Sequence, residues 1–241
     1  MRENSFILPS VVLALGLIIA VGIFSFIWKD ARSADQTITV TGSAKKEIVS
    51  DLGILRGTIS VEAPAAVMAF SSLKAQKPIL VEFLGSQGFT PDKIEWYPVI
   101  NYPVYEYDAD GRQRGVKGYV YSQKMEIRSN DVRKIRAVSL EIASVIERGV
   151  FLTIDPPEFH YTKLADLKVQ IQAEAAKDAM VRAERIASAT GSTLGPMRTA
   201  RMGVLQITPR HSTEISDYGV NDVSSIEKEI TAVVNASFQI R

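Results

Sequence analysis

Between Leu164 and Thr190 the chain reads LADLKVQIQAEAAKDAMVRAERIASAT, and this segment constrains the fold most. Leu167, Ile171, Ala175, Ala179, Ala183 and Ile186 recur at helical spacing, and Leu164, Ala176, Met180 and Ala187 widen the stripe into a face that must be covered. Eight alanines lie between Ala165 and Ala189, so the buried face is small and lets backbones approach closely. That favours a tightly apposed sheet or helix over a ligand cavity. Asp178 precedes Arg182 by four residues and Glu174 precedes Lys177 by three, which marks the solvated side. Gly191 supplies a C-terminal cap, and Gly195-Pro196 stops any continuation.

The second constraint is Phe6–Trp28, FILPSVVLALGLIIAVGIFSFIW, 23 residues without a charge. As a helix it extends about 34 Å, enough for a bilayer. A cleaved signal peptide would have a shorter apolar core and a small-residue cleavage site, and none follows Trp28. Residues 6–28 are therefore expected to be a membrane anchor, with 1–34 as anchor and linker and 35–241 as the folded domain. Arg2 on one side and Lys29 and Arg32 on the other leave the orientation undecided by charge.

The remaining chain, roughly 205 residues, is ample for a substantial core. Thr37–Ser43 alternates strictly and Ile48–Val61 is rich in β-branched residues, which predicts two antiparallel strands with a bend at Gly53 or Gly57. After Pro64, the positions Val67, Phe70, Leu73, Leu80 and Leu84 predict a helix kinked or broken at Pro78. Ile94–Tyr107 reads as an edge strand carrying Pro98 and Pro103, and DADGRQRG as a turn into the alternating strand Gly118–Arg128. Asn130 is the expected cap of a helix with the stripe Val132, Ile135, Val138, Ile142 and Val145. Phe151–Thr162, interrupted by Pro156-Pro157, Met197–Thr208 and Ile230–Ile240 complete the strands. Residues 210–228 are polar and aperiodic, a mobile segment or an assembly surface. The sum is an α+β fold, a largely antiparallel sheet with three main helices on one face.

Chemistry is sparse in these residues. A net charge of +1, from 28 basic and 27 acidic residues, gives no footprint for nucleic acid. The absence of cysteine removes disulfides, thiolate metal sites and cysteine nucleophiles. Glu106-x-Asp108-x-Asp110-Gly111 mimics half of a calcium loop, but Lys117 stands where the closing carboxylate belongs, and Asp-Gly suits a hairpin turn. Ser43-x-x-Lys46 and Ser71-x-x-Lys74 lack the companion elements of a serine acyl-enzyme. His160 and His211 are 51 residues apart with no paired base. Catalytic, cofactor and metal residues are accordingly assigned to none. The aromatic run Trp96, Tyr97, Tyr102, Tyr105, Tyr107, Tyr119 and Tyr121 is the one recognition surface the sequence offers, its expected partner another protein subunit.

The stretches ITVTGSAKKEIVSDLG, GFTPDKIEW and above all EAAKDAMVRAERIASATGSTLG resemble the SIMPL domain family, from about Ile38 to the C-terminus. Ser50-Asp51 stands where a Pro-Asp pair is common, and Trp96 where threonine is often found. The resemblance implies an α+β fold on the outer side of the bacterial cytoplasmic membrane, oligomeric assembly, and a role in the envelope or in stress. It brings no catalytic residue set. The expectation is a non-enzymatic, single-pass, periplasm-facing, self-associating protein without cofactors. The alternatives are a ligand binder or enzyme built around His160 and the tyrosines, or an adaptor to a membrane complex.

Overall fold

A computed structural model describes residues 7–34 and 36–241. Phe6 and Arg2, used above for the anchor and its orientation, lie outside the described residues. The first helix, α1 (Ile7–Ala34), runs six residues past the apolar stretch. Its described side chains from Val11 to Ile23 are exposed on every face. Among the described residues no helix is long and apolar enough to cross a membrane. The unbroken run of described side chains, residues 10–25, reaches about 24 Å against a hydrocarbon core of about 30 Å. The spanning helix expected over 6–28 is therefore not carried by the described residues alone.

The chain divides into two compact units in place of one sheet with three helices on a face. One comprises the described residues up to Lys45, Asp166–Leu205 and Thr231–Arg241; the other comprises Lys46–Ala165 and Gln206–Ile230.

In the first unit the strands β1 (Thr37–Val49) and β10 (Glu227–Ile240) pair, and β10 also pairs antiparallel with β8 (Leu194–Met202). Ala232, Val234, Ala236 and Phe238 point to the buried side of β10 with strand periodicity. The helix α4 (Leu164–Ala189) buries Leu167, Ile171, Ala175, Ala179, Ala183 and Ala187, a strict every-fourth row. Ile186 and Met180 stay exposed, so the stripe is narrower than its sequence suggests. Gly42 explains the alanines. A Cβ on it would come within 2.7 Å of the Ala179 Cα, and closer still to the Ala175 carbonyl oxygen and the Ala179 nitrogen. Strand backbone thus lies directly on helix backbone. The Ser43 N–H donates to Asp178 Oδ2 at 2.9 Å, and Asp178 also meets Arg182 at 2.7 Å. The helix ends where Gly191 takes φ +73° and Ser192 N–H reaches back to the Ala187 carbonyl.

In the second unit β2 (Leu52–Ala63) and β5 (Gln113–Ser129) form the centre of a six-stranded sheet. Along the outer side of β5 run β3 (Ile94–Trp96) and β4 (Ile100–Tyr107), and along that of β2 run β6 (Leu152–Ile154) and β7 (Glu158–His160). Every pairing of these strands is antiparallel. The strands β1 and β2, expected to pair, belong to different sheets because Ser50-Asp51 separates them without a reversing turn: Ser50 N–H donates to Ile226 and Asp51 N–H to His160.

The helix α2 (Ala66–Ser86) stays one element through Pro78. It buries Ala69, Leu73, Gln76, Leu80 and Leu84, while Val67 and Phe70 are exposed. The helix α3 (Val132–Glu141) continues as a 3₁₀ turn over Ile142–Ile146 and buries the whole expected stripe. Asp131 is its cap, accepting from Lys134 N–H at 3.0 Å; Asn130 instead donates to the Asp51 carbonyl. Both helices contribute to a core with Leu55, Ile59, Met125 and Ile127, the odd-numbered face of β2 and β5. The even-numbered face carries charged residues of both strands, with Ile54, Val120 and Glu126 buried on it. Residues 210–228, expected to be a mobile segment or an assembly surface, run into β10 and are held before it by the short strand β9 (Gln206–Pro209): Gln206 Nε2 donates to Ser216 O, its Oε1 accepts from Val220 N–H, and Asp222 N–H donates to Ile207 O.

Candidate functional site

Alternation along β5 predicts a solvated face of Ser122, Lys124, Glu126 and Arg128, yet Glu126 is only 2% exposed. Register explains the discrepancy. Arg56 on β2 and Glu95 on β3 both stand directly opposite Glu126, so three charged side chains share one patch of the sheet face. Arg56 Nε lies 2.6 Å from Glu126 Oε2, and Arg128 Nε 2.5 Å from Oε1, so each carboxylate oxygen meets its own guanidinium. Tyr97 Oη adds a contact at 3.5 Å. Arg128 reaches Glu95 at 3.7 Å, which screens the two facing carboxylates. On the other side Arg56 Nη1 meets Glu158 Oε1 at 2.5 Å, and Glu158 Oε2 meets His160 Nε2 at 3.0 Å.

The result is a charge ladder across four strands, Glu95–Arg128–Glu126–Arg56–Glu158–His160. Burial alone would push the Glu126 carboxyl up, but the Arg56 and Arg128 guanidiniums outweigh it and hold the group below the ordinary glutamate range. Glu158 is held low first by the His160 ring and then by Arg56, against its own desolvation. A carboxylate so fixed is a poor general acid or base, because its proton is displaced by cations that do not leave.

Beyond His160 lies a cavity of about 100 Å³, lined by Tyr161, Leu164, Asn221, Asp222 and Lys228 among others. Lys228 is buried, and its amine donates to the carbonyls of Phe159 at 2.6 Å and of Asp222. Burial lowers its pKa, opposed by the Asp222 charge. Asp222 Oδ1 accepts from the Ser224 N–H and hydroxyl, whereas its buried Oδ2 has no partner among the described residues. Lys228 and Asp222 thus fasten β7, β10 and the 210–226 segment together.

The sequence-derived candidates fall in separate places. His160 joins the ladder; His211 sits in a turn with φ +64°. Asp108 Oδ1 accepts the N–H groups of Asp110 and Arg112, the hydrogen bonds of a turn. The aromatics divide: Trp96 lies under the Lys77 amine at 4.0 Å, Tyr121 stacks near Phe70 at 5.7 Å, and Tyr102, Tyr105 and Tyr107 are exposed on β4. Irregular register between Val104 and Tyr105 matters here. Ile100, Tyr102, Val104 and Tyr105 face Ser122, Val120, Gly118 and Val116, all even positions of β5. The extra residue, Lys117, lies on β5, so β4 keeps its alternation: Ile100 and Tyr102 lie on one side of the hairpin, and Tyr105, Tyr107 and Val116 on the other. Ile100 is 65%, Tyr102 53%, Tyr105 40% and Val116 47% exposed.

Glu126, Lys228 and Asp222 escape a reading by periodicity. Arg56 inside the apolar run ILRGTI, and Glu126-x-Arg128 on one strand face, were the signals available.

These features define an α+β protein with two antiparallel sheets, a structural charge ladder and a hairpin carrying exposed apolar side chains. The SIMPL profile, described as a protein of unknown function (DUF541), matches residues 38–238, and the chain belongs to that family. It is 26% identical over 208 residues to the uncharacterized protein YggE of Edwardsiella ictaluri, covering 85% of this chain and 84% of that one. Two solved structures show slighter likeness. A proposed aminohydrolase from methicillin-resistant Staphylococcus aureus shares 11% identity, with 52% of this chain and 32% of that one covered and a TM-score of 0.24. A proposed amidohydrolase/peptidase from Burkholderia cenocepacia shares 14% identity, with 50% and 29% covered and a TM-score of 0.22. The chain spans about a third of the length of those two structures, and likenesses of that extent carry no argument about its chemistry.

Proposed function

We propose that this SIMPL protein is a non-enzymatic, membrane-anchored envelope protein that self-associates through the β4–β5 hairpin, with residues 35–241 in the periplasm. The observation that carries the assembly reading is the exposure of Ile100, Tyr102, Tyr105, Tyr107 and Val116 along the β4–β5 hairpin. Aromatic and aliphatic side chains gathered on one rigid ribbon are what a protein–protein interface uses. Association runs through these side chains and not along a continuous backbone ladder, since Pro103 and the two bulges interrupt the edge.

The anchor reading rests on the charge-free run 6–28 and on the exposure of α1 on all faces, an arrangement suited to lipid and not to a core. The non-enzymatic reading rests on the mutual pairing of the ladder's charges. A ligand site beside His160 is the second reading, supported by the cavity that gathers Asn221, Asp222 and Lys228 there. It is disfavoured because the Lys228 amine is already held by two carbonyls and the exposed tyrosines of β4 are not part of the cavity lining.

The cysteine-free chain allows a direct test in cells. Tyr105→Cys in the full-length protein should give a crosslinked dimer with a short bis-maleimide, while Ile215→Cys, still more exposed in the 210–226 segment, should not. Equal crosslinking at both positions, or none at Tyr105→Cys, contradicts the interface. A C-terminal alkaline phosphatase fusion should be active, and an inactive fusion places the domain in the cytoplasm.

A further inference from the structure

In the second unit a cleft of about 730 Å³ lies between α3 and the segment 224–227. One wall carries Arg133 and Arg136, one turn apart on the exposed side of α3. Leu140 follows one turn further on and is 77% exposed. Pro157, Phe159 and Ile226 extend this apolar strip, and the hydroxyl residues Ser139, Ser224 and Ser225 line the rest.

The two guanidiniums distinguish the cleft. Elsewhere in this unit Arg56, Arg128, Arg148 and Arg210 each meet a carboxylate within 4 Å, while Arg112 and Arg114, which form no ion pair among the described residues, are exposed at the β4–β5 hairpin and line neither this cleft nor the cavity beside His160. Neither Arg133 nor Arg136 forms an ion pair among the described residues. Two adjacent cations on one helix face repel one another, and fixing them without a counter-charge costs stability that a ligand anion recovers. The acidic group on the cleft wall, Glu227, is engaged by Arg210 at 3.4 Å. Lys134, between the two arginines in sequence, points away: its amine donates to the Gly88 carbonyl and lies over the Phe89 ring. The cleft therefore presents two planar donor forks at one end and an apolar strip beside them.

We propose that this cleft binds a phosphate-bearing ligand, its phosphate held by Arg133 and Arg136 and its less polar body lying along Leu140, Pro157 and Ile226. A phosphate monoester carries close to two negative charges and three acceptor oxygens, which suits two guanidiniums, whereas one carboxylate satisfies a single fork. A soluble phosphorylated metabolite presents that monoester, and the headgroup of an anionic phospholipid presents a phosphodiester with one charge and two free oxygens, one for each guanidinium. The site is separate from the hairpin and shares only Phe159 with the lining of the His160 cavity, so its test is independent of the assembly proposal.

The test is isothermal calorimetry on the full-length protein in dodecyl maltoside micelles. The probes are inorganic phosphate, glycerol 3-phosphate, succinate, and dihexanoyl phosphatidylglycerol against dihexanoyl phosphatidylcholine, each lipid below its micelle concentration. The expected result is binding of glycerol 3-phosphate or of dihexanoyl phosphatidylglycerol, weakened at least about tenfold in Arg133→Gln/Arg136→Gln and by less in Arg133→Lys/Arg136→Lys, which keeps the charge but loses the fork. Glu227→Gln should bind as well as the wild type or more tightly. Binding confined to the soluble phosphates identifies a metabolite site, and binding confined to phosphatidylglycerol a lipid-headgroup site; either supports the proposal. Four results overturn it: no heat with any phosphate probe, equal binding by the Gln/Gln variant with an unchanged melting curve, tighter binding of succinate than of every phosphate, or equal binding of the two lipids. If the Gln/Gln variant melts early, the Lys/Lys variant decides, and affinity unchanged from wild type there contradicts recognition by the forks.

Discussion

Gly42→Ala is the substitution on which the packing of the first unit can be judged. The added methyl would meet the Ala179 Cα at 2.7 Å, and helix backbone atoms closer still, where ordinary contact begins at 3.4 Å. The obstructing groups are backbone, so no rotamer change relieves them, and β1 must withdraw from α4 by about 1 Å. A gap of that size forfeits a quarter to a half of the dispersion attraction along the row Ala175, Ala179 and Ala183. Overpacking of this kind costs about 1 to 3 kcal/mol, and a clash with backbone on both sides belongs at the upper end, about 3 kcal/mol. For a chain of this size that is roughly 6 to 12 °C in melting temperature. Urea unfolding of the full-length protein in detergent, followed by far-ultraviolet circular dichroism, measures the loss, and amide hydrogen exchange along α4 localises it. Gly115→Ala is the control, because nothing lies within 4 Å of its added Cβ. A loss below about 1 kcal/mol for Gly42→Ala, indistinguishable from the control, would refute the claim that strand backbone rests on helix backbone.

From the opposite side of the same contact, Ala179→Leu should cost about 1 to 3 kcal/mol by urea unfolding, and a neutral result would mean the alanine face is open. Glu126→Gln should cost about 2 to 3 kcal/mol, since it leaves Arg56 facing a neutral group on a buried patch; a loss no larger than that of Lys124→Gln would demote the ladder to a surface feature. Because Glu126 and Glu158 are held below the ordinary value of 4.5, the unfolded chain takes up their protons first on acidification. Their contribution is fully present above about pH 4.5 and is lost as pH falls through the folded-state values, so stability should drop below that pH and drop less steeply in Glu126→Gln. An identical acid limb in the variant would contradict the pairing.

Local elements were legible in the sequence where one period dominates. The every-fourth row of α4 and the α3 stripe from Val132 to Val145 are both present in the structure. Partnership was not legible. The strands β1 and β2 are neighbours in sequence, and an alternating run carries no record of its partner, so the separation into two sheets has no local signature. Glu126 shows the same limit on one residue. Its parity assigns it to water, and Arg56, 70 residues away, together with Arg128 makes its burial tolerable. The hairpin was half visible: the tyrosines were evident, but the extra residue Lys117 on β5, which sets Tyr105 opposite Val116, depends on register between the two strands. The Arg133–Arg136 pair had no signature as a site, because helix surfaces commonly carry arginines and the cleft facing this pair is closed by Ser224–Glu227 from the far end of the unit.

Assembly through the hairpin is the central functional claim, and the mass of the full-length protein in detergent tests it most directly. Light scattering with the detergent contribution subtracted should return a multiple of the 26.5 kDa chain mass for the wild type and a single chain for Tyr102→Lys/Tyr105→Lys. A wild type that stays at one chain mass over a hundredfold range of concentration, or a double variant with the same multiple as the wild type, would contradict it.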